Sequence, residues 1–276
     1  MGPVFILGCG YTGSRVARLL LDQGIAVSGS ARTLDSMAPL IECGLRPLAF
    51  DAADSKSFSR LGENFEPGTR LLYSIPTLTG PTGRWEPARQ ILEAIGPQLS
   101  RVVYLSTTGV YGSAAAVNEN TPPKPETERQ KLRVEAEQAV LSGPWKSLIL
   151  RPAAIYGPGR GVQAALPEGK YKLAGDGSNF VSRIHVDDLA AISAAAVLSD
   201  LTGAYPVADE EPCSSREIAE FCAELLQLGP VESVTSDELS ETRRSDRRVG
   251  GRAIRKLLGV TLQYPSYRQG IPASLG

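Results

Sequence analysis

PVFILGCGYTGSRVARLLLDQG, residues 3–24, is the stretch that decides the fold. A short apolar run of strand length ends in Gly8-Cys9-Gly10-Tyr11-Thr12-Gly13, the spacing GxGxxG. SRVARLLLDQG then carries Val16, Leu19 and Leu20 at i, i+3, i+4 and stops at Gly24, the pattern of a helix with one apolar face. IAVSGS (25–30) follows as a second strand. In that strand–turn–helix–strand setting each glycine has a task. Gly8 permits the tight turn, Gly10 lets a phosphate approach bare backbone, and Gly13 lets the helix pack closely on the strand. The unpaired N–H groups at the helix start face the anion. The turn therefore reads as a dinucleotide site built on Gly8, Gly10, Tyr11, Thr12 and Gly13, with an ordinary glycine-rich turn as the alternative.

The pattern continues outward. RPLAF (46–50), RLLYSI (70–75), RVVYLS (101–106) and SLILR (147–151) are further strand candidates, and helical segments at 85–95 and 126–141 separate the later ones. Such alternation implies an α/β chain with a doubly wound, Rossmann-type parallel sheet. After Arg151 the pattern loosens into Gly- and Pro-rich loops (157–182), a helix (187–199), a strand (203–208) and the helix SSREIAEFCAELLQLG. The expected division is a cofactor-binding unit over residues 1–150. A smaller region, 151–276, caps the carboxyl edge over the substrate and returns some strands to the sheet.

Composition narrows the function. The 276 residues are 42% hydrophobic, enough for a sizeable core, and 29 Lys+Arg against 30 Asp+Glu leave a formal charge of −1. That balance argues against nucleic acid or an anionic membrane as a partner, and points to a small molecule instead. Cys9, Cys43, Cys213 and Cys222 show no CxxC spacing and His185 is the one histidine, so buried thiols and no metal site are expected. The N-terminal apolar stretch is too short for a signal or membrane segment, which makes the cytoplasm the expected location.

The end of the second strand speaks to which dinucleotide binds. An acid there would accept from the ribose 2′-hydroxyl of NAD, but the chain reads Gly29-Ser30-Ala31-Arg32-Thr33. Arg32 offers a planar cation suited to a 2′-phosphate, with Ser30 and Thr33 as hydroxyl donors, so NADP(H) is expected over NAD(H). Asp51, after the third strand, is placed for an adenine amino group or for a helix cap. Ser74 and Pro76, after the fourth, would run along the cofactor, Pro76 without an N–H to offer.

Further motifs appear in order: LSTTGVYG (105–112), NENTPPKPE (118–126), LRPAAIYGPGR (150–160) and RIHVDDLA (183–190). With GCGYTG they make the chain resemble the extended short-chain dehydrogenase/reductases, the NAD-dependent epimerase/dehydratase family, over nearly its whole length. The resemblance implies hydride transfer between substrate carbon and nicotinamide. A Ser/Thr and a Tyr would contact the reacting oxygen, and a Lys four residues after that Tyr would bind the ribose and lower the phenol's pKa. It puts the hydroxyl on Thr107 and the lysine on Lys131, four before Glu135. It also puts Pro152 beside the cofactor, and Tyr111 and Arg183 beside the substrate. Relatives often dimerise through helices near 85–100 and 126–142. The heavy charge of the second here leaves both monomer and homodimer open.

The departure is at the tyrosine. Counting back four from Lys131 gives Thr127, and no tyrosine occurs from 112 to 155. A threonine hydroxyl is a far weaker acid than a phenol of pKa about 10. Tyr111, Glu126, Glu128 or ordered water are the other candidate proton donors, though Tyr111 reads more simply as packing under its loop. His185, at a helix start, suits a structural hydrogen bond, and RRSDRR (243–248) suits either a pyrophosphate clamp or a solvated loop. The chain is thus expected to be an NADP(H)-dependent oxidoreductase on a sugar nucleotide or similar polar carbonyl or alcohol. The alternative is an inactive NADP(H)-binding sensor or partner protein.

Overall fold

The computed structural model describes residues 2–81, 83–235 and 245–276. Seven parallel strands form the central sheet: β1 (Val4–Leu7), β2 (Val27–Ala31), β3 (Arg46–Ala49), β4 (Thr69–Tyr73), β5 (Leu99–Leu105), β6 (Lys146–Pro152) and β7 (Gly203–Val207). Their spatial order is 7-6-5-4-1-2-3. The chain winds from β1 outward to β3, then restarts at β4 on the other side. The carboxyl ends of β1 and β4 therefore diverge into a crevice, the place where such sheets bind ligands.

Period-two alternation sends each strand's residues into two cores. Val4 and Ile6 of β1 pack with Val16 and Leu20 of helix α1 (Gly13–Asp22) and with Leu189 and Val197 of α4 (Val186–Leu198). Phe5 and Leu7 face the other way, onto Ile91 and Leu92 of α2 (Ala88–Ile95) and Val140 of α3 (Glu128–Leu141). β1 is buried on both faces, which is why it reads as an unbroken apolar run. Burying such a Val, Ile or Leu side chain contributes roughly 1.5–3 kcal/mol. α1 stops because Gly24 takes φ +73°, a conformation a glycine enters without the cost a Cβ would add.

Two arginines fasten α4 to the amino edge of the sheet. Arg101 of β5, 1% exposed, donates from Nε to Ala196 O (2.9 Å) and from Nη2 to Leu201 O (2.8 Å). Arg70 of β4 donates to Val197 O and Ser199 O, both at 2.8 Å. Together they satisfy carbonyls that a helix end leaves without partners, and place positive charge against its negative pole.

Segments leaving β6 and β7 build a cover over the carboxyl edge. Ala154–Tyr156 pairs with Arg183–His185, and Arg248–Val249 with Ala116–Val117, both parallel. α5 (Ser215–Leu225), opened by a Ser214–Glu217 capping box, packs Ile218 and Cys222 against Tyr156, Tyr267 and Ile271. The short helices α6 (Arg252–Leu258) and α7 (Tyr267–Ala273) close the chain. Among the described residues no helix is long and apolar enough to cross a membrane.

Candidate functional site

The glycine turn has the geometry that a dinucleotide needs. A methyl at Gly13 would stand 2.2 Å from Gly8 O, and one at Gly8, where φ is +103°, would meet the Ser74 carbonyl carbon at 3.2 Å. A methyl at Gly10 would meet nothing within 4 Å, so that backbone is open. The helix and the β4 end thus press on the turn from two sides, with the start of α1 at the crevice. The residues present fit a pyrophosphate.

Ser30 lies behind the turn. It is 1% exposed, its Oγ accepts from Gly8 N (3.2 Å) and its carbonyl accepts from Cys9 N (2.6 Å). It braces the turn on β2 instead of standing beside Arg32 as a surface donor. Arg32 itself is exposed at the end of β2, with no ion pair to any described residue. Asp51 is exposed and spends Oδ1 on Ala53 N (2.9 Å), a turn-holding bond. Ser74 N donates to Leu7 O (2.9 Å), closing β4 on β1, and Pro76 beyond it is exposed. Tyr11 reaches across the crevice: its hydroxyl donates to Pro158 O (3.0 Å), and the Arg15 guanidinium stacks 4.5 Å from its ring. Arg15 also pairs with Asp187 at 2.8 Å. These contacts tie the covering loop to the phosphate turn. His185 caps α4, its Nδ1 accepting from Asp187 N (3.2 Å), and burial holds its pKa below the ordinary imidazole value.

Beyond β5, Thr107 is extended and half-buried, and its Oγ1 accepts from Gly109 N (3.1 Å). The hydroxyl proton is therefore left to donate elsewhere. Arg247 fixes the loop that follows, donating to Ala114 O (2.8 Å), Thr108 O (2.6 Å) and Gly112 O. That is the work this part of RRSDRR performs, while Arg248 lies 3.5 Å over the Phe180 ring. Arg243 and Arg244 lie outside the described residues. Arg183 is buried and donates to Val181 O (2.7 Å) and Cys213 Sγ (3.1 Å), and Pro152 is buried at the last position of β6.

Tyr111 is fully buried, not displayed. Its hydroxyl accepts from Arg151 Nη1 (3.1 Å), with the guanidinium 5.0 Å from its ring. Burial pushes its pKa above the phenol value, against the pull of Arg151. Arg151 in turn holds Glu137 through Nε (3.0 Å) and Nη2 (2.7 Å), and Ser106 Oγ donates to the same carboxylate at 2.5 Å. A phenol closed into such a network is not poised to protonate a substrate. Glu126 does not stand in: it is exposed and accepts from Ser113 N and Oγ (3.2 and 2.6 Å), which lowers its pKa. Glu128 is exposed as well.

Thr127 is the N-cap of α3, in extended backbone (φ −105°, ψ 161°), with Gln130 Oε1 accepting from its N–H at 3.3 Å. It is the position where the resemblance puts a tyrosine, and it stands at the helix start. Lys131 and Glu135 are both on the exposed side. The buried pair four apart is Arg133 and Glu137. Arg133 donates to Leu105 O (2.7 Å) and Ile75 O (3.5 Å) at the ends of β5 and β4, and pairs with Glu86 at 3.2 Å. Position 129, four before Arg133, is an exposed arginine, so this register holds no phenol either. A signal was available: Arg133 and Glu137 fall on the same stripe as Ala136 and Val140, whereas Lys131 and Glu135 do not.

Comparison with known proteins agrees with this architecture. Residues 84–207 match the family model described as NAD dependent epimerase/dehydratase family. Protein YeeZ of Escherichia coli strain K12 is 29% identical over 203 residues, 68% of this chain and 70% of its own. A conserved protein of unknown function from Silicibacter pomeroyi superposes with a TM-score of 0.81 at 33% identity, covering 100% of this chain and 98% of that one. The UDP-glucose 4-epimerase of Thermus thermophilus, solved in complex with NAD, gives a TM-score of 0.82 at 21% identity, covering 99% and 97%, a likeness of fold. The sheet order, the glycine turn and these matches agree, and the chain belongs to the NAD-dependent epimerase/dehydratase family.

Proposed function

We propose that the protein is an NADP(H)-dependent oxidoreductase acting on a sugar nucleotide or a similar small polar carbonyl or alcohol. Residues 1–150 would hold the cofactor and 151–276 would cover the substrate. The observation that carries the reading is the glycine turn, closed at Gly8 and Gly13 and open at Gly10. The preference for the phosphorylated cofactor rests on Arg32, an exposed guanidinium, unpaired among the described residues, where an acid would serve NAD.

The bound cofactor would supply hydride exchange at its nicotinamide ring. The chain's own part is holding and orienting. The α1 start takes the pyrophosphate, Arg32 the 2′-phosphate, and Thr107 directs its free proton at the substrate oxygen. Threonine is too weak an acid to give that proton up near neutrality, so its task is orientation and water completes the transfer. Ser106–Glu137 on one side and Arg247 on the other keep Thr107 in place.

A second reading is cofactor binding without turnover. Enclosure of Tyr111 and the N-cap position of Thr127 favour it, since neither register brings a phenol to the cleft. Titration with NADPH and NADH by calorimetry, followed by NADPH oxidation assays on sugar nucleotides and small carbonyls, separates the two. Tighter NADPH binding with turnover of at least one substrate is expected. NADPH binding with no turnover across the panel selects the second reading, and failure to bind either cofactor overturns both.

A further inference from the structure

We propose that Arg133, held by Glu86, is a positioning residue for the nicotinamide end of the cofactor cleft. The inference rests on the oxidoreductase reading. In a doubly wound sheet the pyrophosphate lies at the β1–α1 turn, and the second nucleotide extends over the ends of the strands on the far side of the switch, here β4 and β5. The floor of that half is the backbone leaving those two strands. Arg133 takes hold of it from below, joining Leu105 O and Ile75 O through one guanidinium. Ile75 stands between Ser74 and Pro76, and Leu105 is two residues before Thr107. A single planar cation thus sets the spacing of the β4 and β5 exits.

The supporting contacts make the geometry specific. Glu86 Oε2 lies 3.2 Å from Arg133 Nη1 and also accepts from Thr77 Oγ1 at 3.1 Å, so the segment after β4 is drawn to the same guanidinium. The side chains of Arg133 and Glu86 are 9% and 4% exposed. The Arg133 guanidinium lies 5.0 Å from the Tyr104 ring centre, a stacking that fixes its plane. A buried ion pair is a poor device for stability alone, because apolar residues of similar volume would fill the space at less desolvation cost. What it provides here is orientation of two strand-end carbonyls.

The test uses the whole chain with Arg133→Met, Arg133→Lys and Glu86→Gln. Dissociation constants are measured for NADPH and for 2′-phospho-ADP-ribose, which lacks the nicotinamide. Arg133→Met should weaken NADPH by about tenfold or more while leaving the fragment within about twofold, with Arg133→Lys and Glu86→Gln intermediate. Equal loss of NADPH and fragment would reduce Arg133 to a general structural role and overturn the proposal. So would unchanged NADPH binding in Arg133→Met. If Arg133→Met does not fold, Arg133→Lys and Glu86→Gln decide by the same comparison, and no selective NADPH loss in either overturns it. Wild-type binding of both ligands shows that the oxidoreductase reading stands even where Arg133 fails. If the wild type binds neither, both fall.

Discussion

Glu137→Ala gives a direct measure of which face of α3 carries buried charge. The Glu137 side chain is 3% exposed and takes three hydrogen bonds, two from Arg151 and one from Ser106. Truncation leaves the Arg151 guanidinium inside the protein with the Tyr111 hydroxyl as its remaining partner. Breaking a buried pair from one side costs about 3–5 kcal/mol, because the surviving charge keeps its desolvation penalty. In a chain of this size roughly 1 kcal/mol moves the melting point by about 2–4 °C, so a fall of about 6–20 °C is expected. Glu135→Ala, two residues away on the exposed side, should stay within about 0.5 kcal/mol of wild type. Urea denaturation followed by circular dichroism, with thermal melts alongside, reads both. The double variant Glu137→Leu/Arg151→Met should lose less than the sum of its single changes, since it leaves no orphaned charge. If Glu137→Ala costs under about 1 kcal/mol, or Glu135→Ala costs as much, the buried network does not hold α3 in this register.

Arg32→Ala should weaken NADPH by about tenfold or more and leave NADH unchanged, read by calorimetry; a parallel loss of both refutes the 2′-phosphate assignment. Tyr111→Phe should cost about 1–2 kcal/mol of stability by taking the acceptor from Arg151 Nη1, yet change any turnover by less than about tenfold. A hundredfold-scale loss in a normally folded variant would make Tyr111 the acid after all. Asp209, buried past the end of β7, has its pKa pushed up to about 8, chiefly by burial. A carboxyl raised above its unfolded value of about 3.9 contributes stability that is complete below that pH and is lost as pH rises through about 8. Asp209→Asn should therefore gain on wild type in denaturation between about pH 5 and about pH 8.5, whereas a constant difference refutes the shift.

Most of the sheet was legible because its inner strands, β1, β4, β5 and β6, are largely buried on both faces and therefore read as apolar runs. Each of the seven strands lies within about two residues of its sequence reading. The small strand pairs were not. Arg248–Val249 and Ala116–Val117 lie far apart in sequence, and two-residue strands carry no period to detect. At the site, local chemistry was readable and long-range partnership was not. GCGYTG announces its turn through glycine sterics alone. Nothing in SGSAR says that Ser30 points inward to Gly8 while Arg32 points out, until β2 is placed beside β1. The buried charges of α3 were hidden for a related reason. Its charges lie on both faces, so charge did not mark the solvent side, and only the partners Leu105, Glu86 and Arg151 separate Arg133 and Glu137 from Lys131 and Glu135.

With no phenol offered by α3, Thr107 becomes the residue whose replacement distinguishes orientation from proton transfer. Its Oγ1 already accepts from Gly109 N, so what it offers a substrate oxygen is one neutral hydrogen bond. Losing such a bond in the transition state costs about 1–2 kcal/mol, which is roughly ten- to thirtyfold in kcat/KM. Losing a general acid costs more, typically about a hundredfold to ten-thousandfold. Thr107→Val should therefore fall in the smaller range with cofactor affinity intact, and Thr107→Ser should recover most of the rate. Loss beyond about a thousandfold, unrescued by serine, would mean that the hydroxyl itself carries the proton. That outcome would require Ser106–Glu137 to act as its relay, because theirs is the buried carboxylate adjoining Thr107 in the chain.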